Sequence, residues 1–171
     1  CLMLLLPSFV PAAELAALPE SLRPDPFGGI VSVDRNALPA PTGFHTARNP
    51  LSIAGARGGY VSFHLVVKMP EGGEYLLAVN IADKSNKLQL DLFREWFHFT
   101  ESDKGYYPDA MIPLALPYKS LLPDPENRIE KQSAQAFGVD VWIPGDATPG
   151  IYRCQAVLQS GKSRSVLPVD I

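Results

Sequence analysis

Aspartate and glutamate are the residues of this sequence that could most directly take part in catalysis. Two sets stand close together along the chain: Glu95 with Glu101 or Asp103, and Asp124 with Glu126. A glycosidase uses two carboxyl groups ~5–10 Å apart across a cleft, one as the acid and the other as base or nucleophile. Most of these acids fall in turns or at strand positions expected to be exposed, where a solvated charge is the ordinary role. We therefore predict no catalytic residue in this chain.

Histidine and cysteine give little support for a metal or nucleophile site. The three histidines, His45, His64 and His98, show no His-x-His or His-x-x-x-His spacing, and the sequence has no Cys-x-x-Cys pair. Zinc sites are usually built on such short spacings. The sequence also lacks a Gly-x-Ser-x-Gly elbow and a phosphate-binding glycine loop. Cys154 alternates with apolar residues, which favours a buried core thiol. The sequence thus predicts no metal and no cofactor.

Aromatic residues form a more suggestive set. Sugars bind by stacking an apolar ring face on an aromatic side chain while polar groups orient the hydroxyls. Two alternatives stay open: Phe97 and Trp142 belong to the core while the tyrosines cover a sheet edge, or the rings form a contact surface for another domain. The candidate ligand-binding or interface residues are Trp96, Tyr106, Tyr107, Asp109, Tyr118 and Trp142.

The elements that must position these residues are mostly strands. Tyr60–Lys68 alternates, with Val61, Phe63, Leu65 and Val67 on one face and Val66 as the only apolar residue on the other. Such a period of two predicts a half-buried strand. Further strands are predicted at 29–33, 74–81 and from Leu88 onward. The apolar phase shifts after Leu92, which predicts a β-bulge or bend in that strand.

The late part of the chain follows the same rule. Strands are predicted at 137–143, 152–158 and 166–171, with turns at Pro144-Gly145-Asp146, Thr148-Pro149-Gly150 and Ser160-Gly161-Lys162. The segment 100–135 shows neither a strand nor a helix period. A short helix is expected at Ala13–Leu18, ended by Pro19. About seven to nine short strands with Gly/Pro turns predict an all-β, antiparallel, immunoglobulin-like sandwich.

Composition agrees with one compact domain. The chain has 171 residues, 46% of them hydrophobic and 19% charged, with 17 prolines and 13 glycines. That much Pro and Gly leaves little room for long helices. The net charge of -3 argues against nucleic acid as a partner, because phosphate binding needs a clustered basic face.

The N-terminus has the pattern of a secretory signal. An apolar run from Leu2 to Leu6 is followed by small residues, with Val10 and Ala12 placed as at an A-x-A-like cleavage site. The run is too short for a membrane span, which needs ~20 residues. We expect residues 1–12 to be a signal remnant, 13–50 an irregular segment with one short strand, and 51–171 the sandwich. The protein is then exported, to the periplasm or the medium.

Three segments carry a resemblance to a known family. They are Ala56-Arg57-Gly58-Gly59-Tyr60-Val61-Ser62-Phe63-His64-Leu65-Val66-Val67, Tyr107-Pro108-Asp109-Ala110-Met111-Ile112-Pro113-Leu114, and Val139-Asp140-Val141-Trp142-Ile143-Pro144 through Pro149-Gly150-Ile151-Tyr152-Arg153. Together they resemble the N-terminal β-sandwich domain of bacterial β-N-acetylgalactosaminidase-type glycoside hydrolases and their uncharacterised relatives. Gly59 stands where that family has Glu, His64 where it has Gln, and Cys154 where it has Gly.

The resemblance implies a supporting role. In such enzymes the sandwich precedes a TIM-barrel domain that carries the catalytic acids, so no catalytic residue transfers to this chain. Tyr107–Leu114 is expected to be a rigid loop that packs on or near that next domain. The first hypothesis is an accessory domain of an exported carbohydrate-active protein, with a C-terminal catalytic domain as its partner and a glycan as a second candidate partner. The alternatives are a free-standing carbohydrate-binding or surface-interaction module and a small enzyme in its own right.

Overall fold

The computed structural model describes residues 13–33, 43–82, 88–102 and 104–171. Within these ranges the chain forms strands and no helix. The strands are Glu14–Pro19 (β1), Leu22–Pro24 (β2), Ile30–Val33 (β3), Leu51–Ser52 (β4), Gly59–Lys68 (β5), Gly73–Ala82 (β6), Gln89–Thr100 (β7), Gly105–Leu114 (β8), Tyr118–Leu122 (β9), Ala134–Ile143 (β10), Arg153–Ser160 (β11) and Ser163–Asp170 (β12).

Ten of the strands build two five-stranded sheets. The first sheet has the order β1-β5-β10-β7-β8 and the second has the order β4-β12-β11-β6-β9, while β2 and β3 form a separate hairpin. The paired strands of both sheets run antiparallel, except that the short β4 is parallel to β12. The predicted all-β sandwich is therefore confirmed, with more strands than the seven to nine expected.

The main core lies between the two sheets. Phe63 and Leu65 of β5 face Leu77 of β6 and Leu158 of β11, and each is at most 1% exposed. These are the inward positions of the period-two patterns, so the alternation did identify the buried face. Full burial of each such side chain contributes about 1.5–3 kcal/mol. Cys154 belongs to the same core and is fully buried, as predicted.

The outer face of the first sheet, the one turned away from this core, is covered over part of its length. Val66 of β5 and Ala134 of β10 lie under Leu18 and Leu22, and Phe44 packs against them. A neighbouring group covers β7 and β10 in the same way and consists of Phe97, Ile129 and Ala136 with Tyr106. The one apolar residue on the polar face of β5 is thus explained, because Val66 meets a second layer of the chain.

The expected helix at Ala13–Leu18 is wrong, because these residues form β1. Leu15 and Ala17 point into the main core, whereas Leu18 enters the group on the outer face. Each residue from Leu15 to Leu18 is at most 5% exposed. A strand that is buried on both faces has no alternation, so its apolar run reads like a short helix.

The expected loop at Tyr107–Leu114 is also wrong, since it belongs to β8 at the edge of the first sheet. Pro108 and Pro113 pair with Phe97 and Phe93 of β7. Proline lacks the backbone N–H, so it is tolerated in a strand only at an edge. The same prolines protect that edge from pairing with another chain. Met111 leaves an apolar side chain 46% exposed on this strand.

An irregularity occurs in the pairing of β7, as predicted, but its extra residue is Asp109 of the partner strand β8. The register between β7 and β8 shifts between Trp96 and Phe97. Glu95 and Phe97 lie on the outer side of the sheet, whereas Leu92 lies in the main core. The side chains of β7 nevertheless alternate regularly, so the apolar phase changes in the sequence because the outer face acquires its own covering group at Phe97.

The N-terminal part contains more structure than expected. The described portion of 13–50 holds three strands rather than one, and β1 is an integral member of the first sheet. The short strand predicted at 29–33 corresponds to β3. The proposed signal remnant, residues 1–12, lies outside the described residues.

Candidate functional site

Two of the three segments that carry the family resemblance meet at one end of the sandwich. Gly59 at the start of β5 pairs with Ile143 at the end of β10, and the Gly58 N–H donates to the Ile143 carbonyl at 2.7 Å. Gly58 has a φ of 75°, a conformation that favours glycine in this turn. The chain reaches Ile171 at the same place, which we call the Ile171 end.

A cleft of about 290 Å³ opens at the Ile171 end. Its walls combine the turn before β5, the end of β10, the loop that follows and the last residue of the chain. The residues that line it are Gly55, Arg57, Ile143, Ala147, Thr148, Pro149, Gly150, Tyr152 and Ile171. Backbone hydrogen bonds of 2.9 Å run in both directions between Tyr152 and Ile171. The Tyr152 hydroxyl donates to the Thr148 carbonyl at 2.6 Å. The loop is therefore held in place, while Ile151 within it is 81% exposed.

A second feature lies beside this end, on the uncovered part of the outer face of the first sheet. The rings of Tyr60 and Trp142 pair across β5 and β10 with centroids 5.0 Å apart and planes at 52°. Next along the same two strands, the Ser62 hydroxyl donates to Oδ1 of Asp140 at 2.7 Å. Asp140 stands directly opposite Asp91 of β7. We call the following group the outer patch: Tyr60, Ser62, Gln89, Asp91, Asp140 and Trp142.

In the middle of the outer face lies a buried polar pair. Nδ1 of His64 is 2.5 Å from Oε1 of Glu95, and Nε2 of His64 is 3.2 Å from the Glu20 carbonyl. The Glu95 side chain is only 2% exposed, and its Oε2 has no hydrogen-bond partner among the described residues. Burial opposes the charged imidazolium, but the hydrogen bond and charge of Glu95 outweigh it and raise the pKa of His64.

A buried charged group also lies between the two sheets, near β9. Arg94 donates from Nη1 to Oδ2 of Asp124 at 2.9 Å and from Nη2 to Oε2 of Glu126. Oδ1 of Asp124 accepts the backbone N–H groups of Glu126 and Asn127. Burial opposes the charge of Arg94, yet its carboxylate partners raise its pKa further. The group ties the turn after β9 to β7.

These contacts correct the expectation that the acids are solvated. Glu95 and Asp124 are 2% and 3% exposed, whereas Glu101 and Glu126 are exposed as expected. Asp103 lies outside the described residues. Asp124 and Glu126 do converge, but both contact one guanidinium, so the arrangement is an ion-pair network rather than a free acid–base pair.

Cys154 is not suited to act as a nucleophile, because its thiol stays protonated. Burial raises the pKa of its thiol to about 12. The thiolate, which is the reactive form, is then scarce near neutral pH.

The six predicted site residues lie in separate parts of the structure and do not form one site. Trp142 joins Tyr60 in the outer patch. Tyr106 packs with Phe27 and Phe99 at the other end of β7, and Tyr118 packs with Tyr75 and Phe137 beside the main core. Three more stand near the β7–β8 edge: Trp96 beside the Arg94 guanidinium, and Tyr107 and Asp109 on β8.

Sequence reasoning missed most members of the outer patch. Tyr60, Ser62 and Asp140 were recognised only as outward-facing positions or as parts of a motif. Their convergence depends on the pairing of β5 with β10 and of β10 with β7, which no local pattern specifies. The one available signal was that Tyr60 begins the polar face of a strand.

The described residues hold neither a metal-binding cluster nor a membrane-spanning helix. Within residues 13–33, 43–82, 88–102 and 104–171, no group of three or more His, Cys, Asp or Glu side chains is arranged to hold a metal ion. The same part of the chain contains no helix long and apolar enough to cross a membrane.

Comparison with known proteins gives weak likenesses. No protein-family profile and no curated protein matches the chain. A family 123 glycoside hydrolase from Clostridium perfringens, studied for glycolipid glycan hydrolysis, aligns with 71% of this chain at 15% identity and a TM-score of 0.47. The aligned region is only 22% of the hydrolase, so this chain spans about a fifth of its length.

Two other solved structures resemble the chain more weakly. A PapD-like domain of human CEP192 aligns with 82% of this chain and 95% of its own length, at 10% identity and a TM-score of 0.34. AvmM, which catalyses macrocyclization in alchivemycin A biosynthesis, aligns with 71% of this chain and 82% of its own, at 10% identity and a TM-score of 0.31. The structure itself shows the all-β sandwich, and the likeness to part of a glycoside hydrolase is weak.

Proposed function

We propose that this chain is a non-catalytic accessory β-sandwich domain of an exported, carbohydrate-active protein of the glycoside hydrolase type. In this proposal it packs against a catalytic domain that follows Ile171 in the same polypeptide. The observation that carries the proposal is the Ile171 end, where an open cleft lies beside an exposed isoleucine.

The exposed isoleucine supports a docking role for this end. Ile151 is 81% exposed, although the loop that carries it is anchored at Tyr152 by the paired backbone bonds to Ile171. Covering such a side chain with a partner surface contributes about 1.5–3 kcal/mol, which an isolated domain does not gain. A domain that begins after Ile171 starts within reach of this loop and of the cleft beside it.

The polar groups with catalytic potential support a non-catalytic role. Arg94 is engaged by two carboxylates, and Glu95 is buried against His64. The Cys154 thiol is withdrawn into the core. These groups stabilise the sandwich from within, and a substrate would have to displace existing contacts to reach them.

The test compares two lengths of the polypeptide, after the gene has been read beyond the codon for Ile171. In the longer polypeptide, Ile151→Asp should lower the melting temperature or split one unfolding transition into two. In the present chain alone the same change should have little effect, because Ile151 is already solvated. Leu121→Asp is the matched control, since Leu121 is also an exposed apolar residue, at 41%, but lies on β9.

The proposal is rejected if a stop codon follows Ile171, or if Ile151→Asp has the same effect on both lengths. Export is tested separately, by fractionating cells and sequencing the N-terminus of the protein outside the cytoplasm. We expect a mature protein that begins shortly after Ala12, and a cytoplasmic protein with an intact N-terminus contradicts the exported location.

A further inference from the structure

We propose that the outer patch is a saccharide-binding site that takes one sugar ring over Tyr60 and Trp142 and holds its hydroxyls at Asp91 and Asp140. This activity goes beyond the supporting role proposed above and does not depend on docking. It rests on three observations: an exposed ring pair, two carboxylates opposite each other, and a half of the sheet face that no apolar cluster of the described residues covers.

The ring pair is presented to solvent rather than packed away. Tyr60 is 62% exposed, and the half-buried Trp142 lies beside it with the ring centroids 5.0 Å apart. Tyr60 therefore offers aromatic surface that the described part of the fold leaves exposed. The C–H face of a sugar ring stacks on such a surface, and aromatic side chains commonly supply the apolar wall of ligand sites.

The two carboxylates of the outer patch stand at positions where their repulsion destabilises the sheet. Asp91 and Asp140 stand directly opposite each other on neighbouring strands. Like charges at such positions destabilise a sheet. Ser62 holds one oxygen of Asp140 at 2.7 Å, which fixes the carboxylate but satisfies only one of its roughly four lone-pair sites. A ligand that brings hydrogen-bond donors to both acids would relieve the repulsion.

The chemistry around the rings favours a polyol over a cation. Gln89 lies directly opposite Trp142 on the same face and is exposed. Its amide both donates and accepts hydrogen bonds, as does the Tyr60 hydroxyl, while the Ser62 oxygen can still accept one. Sugar hydroxyls also donate and accept, so they match this mixed set, whereas an ammonium or guanidinium group only donates.

The two halves of the outer face differ in what covers them. Around Val66 and Ala136 it lies beneath the apolar groups that contain Leu18 and Ile129. No such apolar cluster covers the half that starts at Tyr60, within the part of the chain that the structure describes. Trp142 is also followed directly by Ile143, which lines the cleft at the Ile171 end. A sugar on the patch would therefore lie beside the surface proposed to dock the catalytic domain.

Calorimetric titration of the chain tests the site. The probes are β-linked oligosaccharides of glucose and galactose and their N-acetylated forms. We expect at least one to bind with a Kd of roughly 1 mM or tighter. Tyr60→Ala and Asp91→Ala should each weaken binding by about tenfold or more. Both side chains are exposed, so the variants should fold, and their thermal unfolding verifies it.

The matched controls remove the same groups elsewhere. Phe99→Ala removes a ring that is 48% exposed at the far end of β7, and Asp109→Ala removes an exposed carboxylate from β8. Both should bind the oligosaccharide as the parent does. The proposal is overturned if no oligosaccharide binds, or if the controls weaken binding as much as the patch variants. It is also overturned if an arginine-containing peptide binds at the patch and the sugars do not.

Discussion

His64 and Glu95 form a hydrogen bond across an intervening strand. His64 lies on β5 and Glu95 on β7, and β10 runs between them in the first sheet. Two strands separated by a third are about 10 Å apart, so the side chains must meet above β10. Gly138 makes this meeting possible, because it pairs with His64 and carries no side chain. A Cβ at this position would overlap the terminal methyl of Met111, which lies over the glycine.

The first prediction concerns the pH dependence of stability. The pKa of His64 is raised in the folded protein, so the folded state holds the proton more tightly than the unfolded chain does. The stabilisation that the His64–Glu95 interaction provides is fully present below the pKa of about 6.5 that histidine has in the unfolded chain. It is lost as the pH rises through the higher pKa of His64 in the folded protein. A hydrogen bond to a charged group contributes about 1.5–3 kcal/mol. Urea unfolding as a function of pH measures this dependence.

The matched variants are His64→Gln and His98→Gln. His98 is exposed on the same strand as Glu95, so its replacement should leave the pH dependence nearly unchanged. His64→Gln should remove the loss of stability above about pH 6.5. An unchanged pH profile in His64→Gln would show that the pair does not titrate as described.

The second prediction is that Gly138→Val breaks the His64–Glu95 pair. The new side chain occupies the space above β10 that Met111 and the pair now share. Overpacking of this kind costs about 1–3 kcal/mol. NMR titration of the imidazole should give a His64 pKa closer to its ordinary value. Gly145→Ala is the control, because a Cβ there would enter open space and should leave both stability and the His64 pKa as they are.

The third prediction concerns the buried ion pair. Arg94→Met leaves Asp124 at 3% exposure without its guanidinium partner, and an unpaired buried charge costs about 3–5 kcal/mol. Arg153→Met is the comparison, since Arg153 forms a similar two-contact pair with Asp170 at the surface. Exposed pairs are screened by water, so its loss should change stability little. Equal effects of the two changes in chemical denaturation would contradict the assignment.

The fourth prediction is that Cys154 is protected from thiol reagents. Its burial and its pKa of about 12 leave few thiolates at neutral pH. Iodoacetamide at pH 7.5 should label the Cys154 peptide only after denaturant is added, as read by mass spectrometry. Fast labelling of the native protein would mean that β11 opens readily or that the thiol is not in the core.

The sequence predicted those strands that bury one face. The residues of β5, β6, β11 and β12 largely alternate because one side meets the main core and the other does not. The sequence did not predict β1, which is buried on both sides. It also did not predict β8, because its prolines are typical of a loop, although proline is tolerated in an edge strand. Local period carries no information on a second layer or on a strand's place in its sheet.

The candidate site was predictable only in part. Trp142 was singled out by residue type, but its partner Tyr60 lies about 80 residues away and is brought in by the β5–β10 register. The burial of Glu95 was missed for a related reason. Its charge is accommodated by His64, which reaches it across Gly138, and that arrangement is visible only once three strands are aligned.

The most direct test of the accessory-domain proposal is hydrogen exchange at the Ile171 end, compared between this chain and the longer polypeptide. Most of the loop 145–151 is exposed in this chain, and its peptides should exchange quickly. If a following domain docks here, the same peptides should become protected in the longer polypeptide, while peptides of the distant β9 should not change. Identical exchange of the loop in both proteins would contradict docking at this end.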